Sequence, residues 1–344
     1  MIFPAPDLDA AHDPGPGPAM ERALEVSGAA VEPIGAGPDH LVRVGTASWT
    51  DPTMVAAGVF YPAGADSAEE RLHYYASRFP LVEVDATYYA LPVARTSELW
   101  RERTPPDFTF DIKAHAALTG QPTETKRLPK NIRTALPAEL AAKPRLYGRD
   151  LPPELWDEVW RLFRDGLAPL RDAGQLGSVL LQYPRWFFPS SENRDAILEA
   201  HERLQGLRCA VEFRHGSWLN EKNLDRTIRF LTDHAIPLVL VDGPQGFKSS
   251  MPVVITATSP DLAIVRFHGR RTATWEAKNL QTVERFRYLY DRDELAEWVP
   301  RIHELAEQVR DTHVLMNNCY ANYGSTNARE LAAMLVADLE AGDG

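Results

Sequence analysis

Charged side chains stand two residues apart at the ends of several apolar runs in this chain. In AVEFRHGSW (210–218), Glu212 and Arg214 share one face of a strand whose other face carries Val211 and Phe213, because strand side chains alternate. The same spacing places Glu83 with Asp85, Asp111 with Lys113, and Arg266 with His268. Gln182, Asp242 and Asn317 close three further apolar runs. Opposite charges in a strand buried on both faces are costly unless they are paired or put to work. Two carboxylates in different surroundings can serve as acid and base, so Glu83 and Glu212 are the candidate pair, with Lys113, Arg214 or Arg266 to hold one of them ionised. His268 is the candidate proton carrier near neutral pH. Lys113, Arg214, Arg266 and Arg270 suit a carboxylate or phosphate, while Gln182, Asn317 and Asn318 suit hydroxyls or carbonyls. Trp49, Tyr89 and Trp218 follow the runs and suit stacking on sugar rings or nucleobases.

The elements that must position these groups are short β-type runs: 41–46, 81–86, 108–114, 177–183, 208–214, 236–242, 262–268 and 312–318. Helical patterns alternate with them at 67–79, 152–170, 192–205, 221–234, 293–309 and 326–340. Eight such runs predict an α/β fold, a TIM-type (β/α)8 barrel, with the polar residues at the C-terminal strand ends where barrel enzymes carry their chemistry. A single barrel domain is expected over 41–340. The connection at 247–261 reads poorly as a helix and is expected to be irregular. Residues 1–40 hold seven prolines without hydrophobic periodicity, which predicts a disordered tail. Residues 121–150 carry seven basic against three acidic residues and read as a lid-like insertion after the third strand.

The 344 residues are 44% hydrophobic and 25% charged, ordinary for a globular protein. A net charge of −11 argues against general adhesion to nucleic acid or anionic membranes. No apolar run approaches the roughly 18 residues needed to span a bilayer, and the first residues lack the pattern of a signal peptide, so a cytoplasmic protein is expected. The two cysteines, Cys209 and Cys319, exclude a disulfide framework. Phosphate-cradling glycine motifs are absent, and Ser217 lacks a nucleophile elbow.

The expectation is therefore an enzyme (a hydrolase, lyase or isomerase) acting without a cofactor on a polar, anionic small substrate such as a phosphorylated or carboxylated sugar or nucleotide-like molecule. Two alternatives stay open. Glu83, Glu212, Asp242 and His268 offer oxygen and nitrogen ligands to a divalent metal, as in barrel isomerases and phosphoesterases or endonucleases. The cations and aromatics could instead form a non-catalytic site for a metabolite or for single-stranded nucleic acid. Glycosidase chemistry ranks lower, because strands four and seven end in Gln182 and His268 instead of glutamates. Nothing in the composition points to an oligomeric state.

The ordered series GTASW (45–49), FYP (60–62), EVDATYYALP (83–92), Trp100–Pro105–Phe108–Phe110–Lys113, LGSVLLQYP (176–184), EFRHGSW (212–218), RFHGR (266–270) and Asn317–Asn318 with Asn327–Ala328 resembles the YecE-like family, domain of unknown function 72. The resemblance spans about residues 41–340 and implies a TIM-type barrel, without supplying an established activity. The chain departs from it at Asp85 and at Thr87–Tyr88–Tyr89, where the family usually shows Asn and Thr-Phe-Tyr; Asp85 adds a carboxylate.

Overall fold

A computed structural model describes residues 12–26, 30–277 and 282–342. Short strands alternate with helices along the chain, and eight of them, mostly buried on both faces, form the parallel sheet of a TIM-type barrel. We number them β1 (His40–Ala47), β2 (Leu81–Val84), β3 (Thr109–Lys113), β4 (Leu176–Gln182), β5 (Cys209–Glu212), β6 (Val239–Asp242), β7 (Leu262–Phe267) and β8 (Asp311–Met316). The chain divides into two compact units, one made of residues up to Val82 and from Asp225 onward, the other of Glu83–Leu224.

In the first unit, β8 pairs with both β1 and β7, and β7 pairs with β6. The register sets Phe267 beside both Asp242 and Met316, so the polar ends of these strands lie level. Gly45 has a reason to be glycine: a Cβ there would lie 2.0 Å from the Leu81 carbonyl oxygen. In the second unit β4 pairs with β3 and β5, and Gln182 stands opposite Glu212. Strict alternation predicts apolar residues outward and polar ones inward, yet neighbours of both kinds are buried. Glu83, Asp111, Glu212 and Arg266 are each 0% exposed.

Helix starts and stops follow local chemistry. Ser67 caps Ala68–Ala76 through a reciprocal box with Glu70. Pro153–Asp172 begins on a proline and buries Val159, Trp160, Phe163 and Leu167 as one stripe. The pattern at 293–309 predicts one helix, but the structure has two, Arg292–Ala296 and Val299–Ala306; Pro300 has no N–H to continue the first and sits at the start of the second. The connection between β6 and β7 contains no helix, as its composition indicates.

The tail expectation is corrected. Residues 16–26 form a helix, Pro16–Val26, on the final helix Tyr323–Gly342, and Ile34–Gly37 pairs antiparallel with β1. Proline at the helix start is compatible with helix, and the ordering is offset by tertiary bonds that the local sequence does not display. Arg22 grips the buried carboxylate of Glu330 at 3.0 and 2.8 Å and the Tyr290 carbonyl at 2.8 Å. Residues 1–11 and 27–29 lie outside the described residues. The insertion 121–150 is folded on its own small core: Leu128, Ile132 and Leu146 are buried, Thr123–Glu124 pairs with Arg145–Leu146, and Lys130–Ala135 packs on Pro153–Asp172. Among the described residues, no helix is long and apolar enough to cross a membrane.

Candidate functional site

In the second unit, β5 ends at Glu212, earlier than its apolar pattern suggests, and Arg214 lies in the turn beyond it. Parallel register aims Gln182 and Glu212 to the same side, and Gln182 Nε2 donates to Glu212 Oε1 at 2.8 Å. Arg214 Nη1 reaches that same oxygen at 3.1 Å. The carboxylate is thus held by an amide and a guanidinium, although it is fully buried. Such pairing is what makes a buried charge tolerable.

At the end of β3, Lys113 Nζ lies 2.9 Å from Asp85 Oδ1 and 5.4 Å from the ring centre of Tyr88. Asp85 therefore adds a charge partner for Lys113, in keeping with its being a carboxylate here. Burial raises the Tyr88 phenol above its ordinary range against the opposing pull of Lys113, so it stays protonated and donates to Gln121 Oε1 at 2.8 Å. Gln121 Nε2 in turn donates to the Gln182 carbonyl at 3.0 Å. Contacts thus run from Asp85 to Lys113, over the Tyr88 ring, and from Tyr88 through Gln121 to the backbone carbonyl of Gln182, whose side chain meets Glu212. Gln121 and Tyr88 were not among the expected site residues. Gln121 enters from the insertion, and no local pattern marks it; Tyr88 was visible only as one of a pair of loop aromatics.

The aromatics sort differently from expectation. Tyr89 is 53% exposed, with Arg127 5.5 Å over its ring. Trp186 and Phe188, after β4, are also exposed. The expectation that Trp218 contacts a ligand is corrected: it stacks on Phe213 at 4.2 Å and Phe187 at 5.7 Å, is fully buried, and donates Nε1 to the Phe187 carbonyl. Its ring faces are already covered by core aromatics.

In the first unit the polar residues sit at the ends of β6, β7 and β8. Asp242 accepts from Tyr290 Oη at 2.6 Å, Trp298 Nε1 at 2.8 Å and Arg270 Nη2 at 2.8 Å, with Arg270 Nε at 3.1 Å. Both oxygens are occupied, so Asp242 is withdrawn as a metal ligand. Arg270 also meets Glu297 at 3.0 Å and Glu294 at 3.5 Å. Burial alone would lower its guanidinium, but the bonds to Asp242 and Glu297 prevail and push it up. The expectation that Arg270 receives an anionic substrate is corrected, since three carboxylates already surround it.

Asn318 is likewise a tether. Its amide nitrogen donates to the Tyr288 carbonyl and to Asn327 Oδ1, both at 2.8 Å, with the side chain fully buried. Arg266 is fully buried within β7. Asn317 Nδ2 lies 2.6 Å from His268 Nδ1; with the amide donating, the ring keeps its proton on Nε2. Trp275 and Phe286 flank His268 at 6.4 and 6.2 Å, and Trp49, after β1, is 8% exposed.

Among the described residues, His12, Asp291 and Glu294 have possible metal-ligand atoms within 4.8 Å of one another. These groups have other work. Asp291 and Glu294 form the reciprocal cap of Arg292–Ala296, and His12 Nδ1 lies 3.0 Å from the Leu289 carbonyl.

The chain has relatives among known proteins. The family model described as "Protein of unknown function DUF72" matches residues 43–342. The chain is 29% identical over 299 residues to the UPF0759 protein YunF of Bacillus subtilis (strain 168), covering 86% of this chain and 95% of that protein. It is 26% identical over 302 residues to the UPF0759 protein YecE of Escherichia coli (strain K12), covering 79% and 94%. The crystal structure of a DUF72 family protein from Thermotoga maritima MSB8 aligns with a TM-score of 0.67 at 30% identity, over 88% of this chain and all of that one. A DUF72 family protein from Enterococcus faecalis V583 aligns with a TM-score of 0.66 at 23% identity, over 86% and 98%, a likeness of fold.

Proposed function

The chain belongs to the DUF72 family, and from that premise we propose that it is an enzyme in which Glu212 moves a proton on a polar, anionic small molecule bound at the C-terminal ends of β3, β4 and β5. The observation that carries this reading is the contact of Gln182 and Arg214 with one oxygen of a fully buried glutamate. A polar interior contributes less stability than an apolar one of similar volume, so an oriented carboxylate at a strand end is better explained by chemistry. Lys113 and Arg214 supply positive charge for a phosphate or carboxylate, Gln182 orients the carboxylate, and exposed Tyr89 offers a face to a sugar or base. Glu83, buried in β2, is the second carboxylate of this reading. His268, oriented by Asn317, is a separate candidate for proton transfer in the first unit.

A panel of phosphorylated and carboxylated sugars and nucleotides, followed by mass spectrometry, tests this. Turnover should fall by about 10²-fold or more in Glu212→Gln, the usual loss for a positioned acid or base. Lys113→Met should mainly raise KM. No conversion of any panel member, or an unchanged rate in Glu212→Gln, would overturn the proposal.

A further inference from the structure

The insertion after β3 forms a concavity of about 610 Å³, of a size that accepts a small molecule. Lys126, Arg133, Lys143 and Arg145 line it, with Glu124 as the one carboxylate of the lining. Glu124 is already matched, at 3.2 Å to Lys126 and 3.1 Å to Arg127. Arg133, Lys143 and Arg145 form no ion pair or side-chain hydrogen bond with another described residue.

Several surface arginines elsewhere are matched by carboxylates. Arg161 holds both Glu158 and Asp165, Arg203 holds Asp157 and Glu199, and Arg292 holds Glu25. In a chain of net charge −11, carboxylates are plentiful, yet here cations converge without them. The backbone beneath these cations is hydrogen-bonded. Thr125 donates its hydroxyl to the Lys143 carbonyl at 2.5 Å and its N–H to the Pro144 carbonyl at 3.0 Å, while Leu136 is buried beneath. Like charges held together on a folded frame repel one another, and an anion relieves that repulsion.

We propose that this groove is a binding site for the phosphate groups of a small phosphorylated molecule. Guanidinium groups on a fixed frame match phosphate oxygens through paired hydrogen bonds, and the lysines add charge. Arg127, between Glu124 and the exposed face of Tyr89, joins the groove to the loop after β2. The proposal goes beyond the reading of Glu212 and stands without it.

Inorganic pyrophosphate is the probe, titrated calorimetrically into the full chain at low ionic strength. The wild type should bind, and the triple variant Arg133→Gln, Lys143→Gln, Arg145→Gln should bind at least tenfold more weakly. A charge-matched control at exposed sites outside the insertion, Lys222→Gln, Arg226→Gln, Arg229→Gln, should stay within twofold of wild type. Circular dichroism checks folding, and if the triple variant is unfolded, each single substitution should weaken binding severalfold. Glu212→Gln should bind pyrophosphate normally, so loss of turnover with binding kept speaks only to the catalytic reading. Absent binding by the wild type, or equal weakening in the control, would overturn the groove.

Discussion

Replacing Asp242 by asparagine separates a structural carboxylate from a metal ligand. Oδ1 accepts from Tyr290 and Arg270 Nε, and Oδ2 from Trp298 and Arg270 Nη2. Asparagine keeps one acceptor oxygen and sets an NH₂ at the other. At Oδ2 the NH₂ would face Trp298 Nε1 and Arg270 Nη2, neither of which accepts; at Oδ1 the Tyr290 hydroxyl can turn to accept from it, but the NH₂ then faces the charged Arg270 Nε, so at least one bond to a charged donor is lost either way. A hydrogen bond to a charged group contributes about 1.5–3 kcal/mol, and a stranded buried donor costs about 1–3 kcal/mol. Arg270 keeps Glu297 and Glu294, which limits the damage from the missing charge. The expected loss is about 3–5 kcal/mol, a large part of the roughly 5–15 kcal/mol that holds a typical domain. Urea unfolding followed by tryptophan fluorescence measures it, with Tyr290→Phe and the double variant completing a cycle whose coupling should exceed about 0.5 kcal/mol. A loss below about 1 kcal/mol would refute the bonding argument. A stable variant that instead loses affinity for Mg²⁺ or Mn²⁺ would restore Asp242 as a ligand.

Breaking the Arg22–Glu330 pair with Arg22→Met should cost about 2–4 kcal/mol, below the full penalty for an orphaned buried charge because Asn327 still donates to Glu330 at 3.0 Å; an unfolding midpoint equal to wild type would show that the N-terminal helix adds nothing. Burial pushes the His115 imidazole down to about 4, so the folded state keeps it neutral while the unfolded chain protonates near 6.5. Stability from this site is therefore full above pH 6.5 and falls as pH drops toward 4, by about 3 kcal/mol, and His115→Gln should flatten that slope. NMR titration of the ring should place its midpoint near 4, and a midpoint above 6 would contradict the burial argument.

Alternation of β-branched and polar residues was enough to mark the strands, their parallel class and the C-terminal ends at which Glu212, Lys113 and Asp242 stand, because those depend on local pattern and on burying apolar faces. Glu212 and Arg214, two positions apart in sequence, do meet, although Arg214 lies in the turn beyond β5 and not on its strand face. The partners that decide each polar residue's role come from elsewhere in the chain. Gln121 reaches Gln182 from an insertion, Tyr290 and Trp298 close on Asp242 from 48 and 56 residues away, and Arg22 meets Glu330 across 308. Asp242 and Glu212 read alike along the chain, since each is a carboxylate ending an apolar strand. Only tertiary packing separates them: one is gripped by Tyr290, Trp298 and Arg270, the other by Gln182 and Arg214. Local pattern cannot report that difference, because a hydrogen bond depends on where distant segments meet and not on how close they are in sequence.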